Sequence, residues 1–240
     1  MFKRLCTVAF VGAISFVLTT AAHAAVFVYE DYNARSKSNK SAGKLSNQLV
    51  SVVSTYDDES ELFMWDVQLK SKAKVDGFWL VVNNGPNPKK ADVNELAIMY
   101  GDLDKGVVST YAYNGKNGPD SINDPGELLQ TDSIDVAGKN FKFEIDASDI
   151  NSWAGWDTPS AGSVNGIGFD DKIGIWFHVM TRSKFSYNGG GDIVGLDGFK
   201  KQGWYDLSNK TTTTIVAEPG TVALFGLGLL GLGLTRRRRQ

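Results

Sequence analysis

ELFMWDVQL, residues Glu61 to Leu69, alternates strictly. Phe63, Trp65, Val67 and Leu69 lie on one side, and Met64, Asp66 and Gln68 on the other. A period of two is the signature of a strand with one buried face. Working outward, Leu49–Tyr56 is apolar and β-branched, and Gly77–Val82 is a short apolar run that ends at Asn83-Asn84-Gly85-Pro86, a strong turn signal. Glu95–Tyr100 and Val107–Tyr113 flank GDLDKG as a hairpin. Leu128–Val136 and Asn140–Ile145 flank Ala137-Gly138-Lys139 as a second. Ile173–Thr181 and Lys184–Tyr187, separated by Arg182-Ser183, read as a third, and Gly203–Leu207 as a short closing strand. Only Ala147–Trp153 reads as helical, with Asp146 or Ser148 as cap. Strands at this spacing without long helices predict an all-β antiparallel sandwich or jelly roll in a single domain.

The two ends read differently. Met1–Ala24 opens on Lys3 and Arg4, runs apolar from Leu5 to Leu18, and closes on Ala22-His23-Ala24. That order is a secretory signal peptide, with cleavage expected after Ala24 and Ala22 as the other small residue of the site. At the other end, Thr221–Leu234 is apolar and uncharged, and Arg236, Arg237, Arg238 and Arg239 follow. Fourteen helical residues span ~21 Å at ~1.5 Å per residue, short of a ~30 Å hydrocarbon core. The stretch is expected to be a short transmembrane helix whose arginines stay cytoplasmic.

Ala217-Glu218-Pro219-Gly220, the Gly/Leu-rich run and the Arg cluster resemble a PEP-CTERM sorting signal, found on secreted proteins of Gram-negative bacteria. The resemblance covers the tail, about residues 217–240. Glu218 and Pro219 match its motif, while Ala217 stands where the motif has its first proline. It implies an exosortase-like membrane enzyme as partner, a transient inner-membrane precursor, and a cell-surface or extracellular destination. It implies no biochemical activity. The expected plan is a signal peptide at 1–24, a secreted domain at 25–207, a Thr-rich spacer at 208–216 and the sorting tail at 217–240.

Between the ends, residues 25–216 hold 19 Lys and Arg against 26 Asp and Glu, a net charge of −7. That balance disfavours nucleic acid as a partner. The only cysteine, Cys6, lies in the signal peptide, so disulfides, thiol catalysis and Cys-zinc sites are excluded from the domain. His178 is its only histidine and sits in the apolar run IGIWFHVM, where a buried structural role is expected. Gly226, Gly228 and Gly231 match G-x-G-x-x-G but follow no strand of a βαβ unit, so no dinucleotide site is expected.

The remaining candidates concern ligands. Trp65, Trp79 and Trp176 sit inside strand patterns and are expected in the core. Trp153 and Trp156, in SWAGWDTPSAG, and Trp204 and Tyr205, beside the Gly-rich loop Asn188–Gly198, are the candidate ligand-binding aromatics. Asp102 and Asp104 in GDLDKG, and Asp192 and Asp197 in the Gly-rich loop, are weak calcium candidates, although Asp also favours turns for backbone reasons. No other cofactor is expected. The sequence favours a non-catalytic surface or matrix module with polysaccharide as its partner. The alternatives are a calcium-assisted carbohydrate-binding module, or a glycan-active enzyme using a carboxylate pair. The densest acidic group, Asp57, Asp58, Glu59 and Glu61, reads as a turn.

Overall fold

In the computed structural model, the residues described are 25–33, 47–57, 59–83, 96–116, 119–156, 174–208 and 212–215. The signal peptide with Ala22 and Ala24, and the tail with Glu218, Pro219 and Arg236–Arg239, lie outside them. Among the described residues no helix is long and apolar enough to cross a membrane.

Among the described residues, two six-stranded sheets carry the fold. The first comprises β1 (Ala25–Asn33), β2 (Leu49–Asp57), β3 (Leu62–Leu69), β8 (Asp135–Ala137), β9 (Asn140–Asp146) and β14 (Thr212–Ile215), in the order β14-β1-β2-β3-β9-β8. The second comprises β4 (Gly77–Asn83), β5 (Ala97–Asp102), β6 (Val107–Ala112), β7 (Leu128–Ser133), β10 (Gly174–Thr181) and β13 (Lys200–Ser208), in the order β13-β10-β4-β5-β6-β7. Every pairing is antiparallel. The sheets face each other across a core fed by alternate residues. Trp65 meets Phe177 at 5.2 Å, and Phe78 stacks on Phe141 and Phe143 at 5.4 and 5.5 Å. The close fit is visible at Gly101, where a Cβ would lie 2.1 Å from the Phe78 ring.

The outer faces differ. On the first sheet Val50, Val53, Asp66, Gln68, Lys142 and Glu144 are exposed. On the second, a further apolar cluster forms around Trp79, Val81, Ile98, Tyr100, Tyr111 and Met180. It is covered by a two-stranded ribbon, β11 (Phe185–Tyr187) with β12 (Ile193–Leu196), and by the short helix α1 (Pro119–Asn123). The cover is bonded down as well as packed. The Ile193 amide donates to Ser109 Oγ at 3.0 Å, the Tyr111 hydroxyl donates to the Ile193 carbonyl, and the Leu196 amide donates to Asn123 Oδ1 at 2.8 Å.

The expected third hairpin does not form. β10 pairs with β13 and β4, and β11 leaves the sheet to pair with β12. Asp76 explains the departure: its carboxylate accepts the amides of Arg182 at 2.5 Å and Ser183 at 3.1 Å, and Arg182 adopts φ 58°. Leu128–Val136 also divides, at Ile134, into β7 of one sheet and β8 of the other. Within the expected spacer 208–216, Thr212–Ile215 is an edge strand on β1. The predicted helix is α2 (Ala147–Asn151), shorter than expected and capped by Asp146.

Candidate functional site

Strand β10 alternates Ile175, Phe177 and Val179 into the inter-sheet core with Trp176, His178 and Met180 outward. Its register sets His178 directly opposite Trp204 of β13 and Trp79 of β4. The imidazole therefore sits among three indoles, 4.5 Å from Trp79, 5.1 Å from Trp176 and 6.1 Å from Trp204 between ring centroids. Trp176 and Trp204 meet edge to face at 6.5 Å, a favourable arrangement for aromatic quadrupoles. Trp79 and His178 are buried and form the floor, while Trp176 and Trp204 are half-buried. Lys201 Nζ stands 5.0 Å above the Trp79 ring.

A bulge in the edge strand β13 holds the patch in shape. Between the pairs His178–Trp204 and Met180–Lys201, β13 carries one more residue than β10. Gly203 lies there at φ 115°, a conformation that a side chain would strain. Its carbonyl is 3.2 Å from His178 Nδ1. The histidine thus has the buried structural place its sequence context suggested. Two half-buried indoles over an aromatic floor are residue types suited to stacking against the C–H face of a sugar ring.

The four aromatics singled out in the sequence do not form one site. Trp153 and Trp156 follow α2 and pack edge to face at 4.8 Å. Trp156 donates its Nε1–H to the Ile150 carbonyl at 2.9 Å and packs against the inter-sheet core. Trp204 belongs to the patch on β13. The Tyr205 backbone pairs with Phe177, and its side chain lies outside the described residues. Sequence reasoning assigned Trp176 to the core and gave Lys201 no role. The signal available was the i, i+2 spacing of Trp176 and His178, which puts both on one strand face.

Asp102 and Asp192 bond within their turns, and Asp197 bonds across the ribbon. Asp102 Oδ1 accepts the amides of Asp104 at 2.8 Å and Lys105 at 3.1 Å, and the Tyr187 hydroxyl donates to its other oxygen. Burial, reinforced by that carboxylate, raises the Tyr187 phenol above its ordinary range. Burial, with Asp102 and Asp76 nearby, also raises the Asp104 carboxyl. Asp192 accepts the Asn188 side-chain amide at 2.7 Å, and Asp197 accepts the Ser186 hydroxyl at 3.3 Å. Among the described residues, no three His, Cys, Asp or Glu side chains are grouped to hold a metal ion. Elsewhere, Asp132, Asp135 and Glu144 line a groove of about 240 Å³.

The PEP-CTERM protein-sorting motif matches residues 216–239. The tail thus marks the chain for export and sorting to the cell surface, with an exosortase-type membrane processing enzyme as partner. Comparisons with curated proteins and with solved structures find no match.

Proposed function

We propose that the β domain is a non-catalytic surface module that binds extracellular polysaccharide, delivered by a tail that holds its precursor transiently in the inner membrane. The observation that carries this reading is the pair Trp176 and Trp204, half-buried and edge to face over the Trp79–His178 floor. An edge strand bounds the patch, so a long polymer can pass across it without threading a closed cavity. Binding of this kind needs stacking and hydroxyl contacts and no bond breaking, which fits a chain that depends on sorting to reach its ligand.

Affinity electrophoresis of the full chain through gels containing dextran, xylan or polygalacturonate tests the reading. Retardation by at least one polymer is expected, and Trp204→Ala should remove it without changing the melting temperature by more than a few degrees. Passage unretarded through every gel overturns it. Processing has a separate test in intact mass. The surface-released protein should have lost the residues beyond Glu218, and retention of Arg236–Arg239 overturns processing.

A second reading, glycan cleavage by a carboxylate pair, draws on the groove that Asp132, Asp135 and Glu144 line. Burial lifts the Asp132 carboxyl above its usual range, the condition of a general acid. This reading requires that Asp132→Asn abolish release of reducing ends from a polymer the chain binds.

A further inference from the structure

The acidic domain carries a concentrated basic site. Lys72, Lys74, Arg182 and Lys200 line one open cleft of about 450 Å³, against the single carboxylate of Asp76. That carboxylate already accepts the Arg182 and Ser183 amides. None of the four cations forms an ion pair among the described residues. Gln48, in the same wall, has its Oε1 buried without a hydrogen-bond partner. Four unpaired cations near each other repel, so the arrangement is relieved by an anion. A buried acceptor oxygen beside them is relieved by a hydroxyl.

The cleft's position narrows the occupant. It lies where β3 and β10 end and where β2, β4 and β13 begin. The chain leaves the domain at Ile215, which pairs with Ala25 beside the Asp57–Leu62 end of β2 and β3. The cleft and the exit to the sorting tail are therefore at opposite poles of the sandwich. The turn at the exit pole carries Asp57, Glu59 and Glu61, with Asp146 alongside. A duplex nucleic acid would need a longer basic track than one cleft, on a domain of net charge −7. The aromatic patch, by contrast, is close. Lys200 lines the cleft and the next residue, Lys201, covers Trp79. From His178 to Thr181 along β10 is three residues, ~10 Å of strand.

We infer that the cleft takes the anionic groups, carboxylate or sulfate, of an acidic polysaccharide whose sugar rings cross the neighbouring Trp176–Trp204 patch. This rests on the reading of the domain as a polysaccharide-binding module and names the class of polymer. The cations meet the charged groups, Gln48 accepts a hydroxyl, and the indoles take the apolar ring faces.

The test uses the full chain in non-ionic detergent, titrated with polygalacturonate, dextran sulfate, neutral dextran and duplex DNA. At least one of the two acidic polysaccharides should bind more tightly than dextran, with an affinity that falls as salt rises. Lys72→Gln with Lys200→Gln should weaken that binding about tenfold, since each removes a charge-assisted contact. Lys116→Gln, which removes a cation paired with Asp124 away from the cleft, should leave it unchanged. Preference for polygalacturonate assigns carboxylate, and preference for dextran sulfate assigns sulfate. Tighter binding to DNA, or an unaffected double variant, overturns the inference. If dextran binds as well as the acidic polymers, the polysaccharide module stands and the role of the cleft falls. If no polysaccharide binds, both fall.

Discussion

Both sheets contribute to the inter-sheet core, yet their outer faces are built on opposite principles. The first sheet turns alternating, wet residues outward, Val53 and Asp66 among them. The second turns out a second apolar cluster and covers it with the β11–β12 ribbon and α1. The strand sequences express the difference. LFMWDVQL alternates, whereas GFWLVV and AIMY are continuously apolar because both sides are buried. A strand without alternation therefore calls for a cover over its second face, and this chain supplies one from residues that resemble loop. The aromatic patch sits where strands β10 and β13 carry that outer face to the sheet's edge.

The strongest way to break this comparison is a matched pair of substitutions. Val53 on the first outer face is 40% exposed, and Val81 on the second is 1% exposed. Val81→Asp should cost about 5 kcal/mol, the penalty of a buried unpaired charge. Val53→Asp should stay within about 0.5 kcal/mol. Urea denaturation of both measures the contrast, and similar costs would refute the difference between the faces.

Gly101 sharpens the same comparison from inside. Its missing side chain is what lets the Phe78 ring lie flat between the sheets. Gly101→Ala should cost about 2–3 kcal/mol through overpacking. Phe78→Leu, combined with it, should recover part of that loss by shortening the obstructing ring. Absence of recovery in the double variant would place the strain elsewhere.

The cover itself is tested by Tyr111→Phe. The hydroxyl bonds the Ile193 carbonyl, and burial pushes its pKa up to about 12. Loss of that hydroxyl strands a buried carbonyl and should cost about 1–2 kcal/mol. Hydrogen exchange should show faster opening of Ile193–Leu196 with little change in β2 and β3. Uniform acceleration would mean that ribbon and sandwich open as one unit.

How far the sequence discloses all this depends on the range of the interactions. Residues Glu61–Leu69 reveal their strand because burial of one face writes itself locally as a period of two. The apolar runs of β4 and β5 reveal burial, but not that the cover comes from residues 185–196. SYNGGGDIVGL has the composition of a loop, and its two short strands are held by contacts to Ser109 and Asn123, far away in the chain. The two-residue link Arg182-Ser183 satisfies the local rule for a hairpin, yet Asp76, over a hundred positions earlier, captures its amides and turns the chain away. Trp204 was legible as a candidate from the polar sequence around it. Trp176 and His178 share a face through their i, i+2 spacing, but their partnership with Trp204 exists only in the pairing of β10 with β13. The basic cleft is gathered from four separate segments and leaves no motif at all.

The smallest effect probes the first sheet at its wet end, where β9 runs into α2. Asp146 caps the helix, accepting the Ser148 hydroxyl at 2.7 Å and its amide at 2.9 Å. Those bonds, the hydroxyl's foremost, hold its carboxyl below the usual aspartate range. A carboxylate with a depressed folded-state pKa stabilises above its unfolded value of about 3.9, and that contribution is lost as pH falls through the folded value. Asp146→Ala should therefore cost about 0.5–1 kcal/mol at neutral pH, the lower part of the range for a cap because solvent reaches the half-buried group. Below the folded-state value the charge-dependent part of the difference should vanish, since both chains then lack the charge. Melting curves of the two proteins should converge as pH falls. A gap that stays constant with pH would mean that the carboxylate's charge plays no part, and that the wet end of the first sheet is held by packing, as the covered face of the second sheet is.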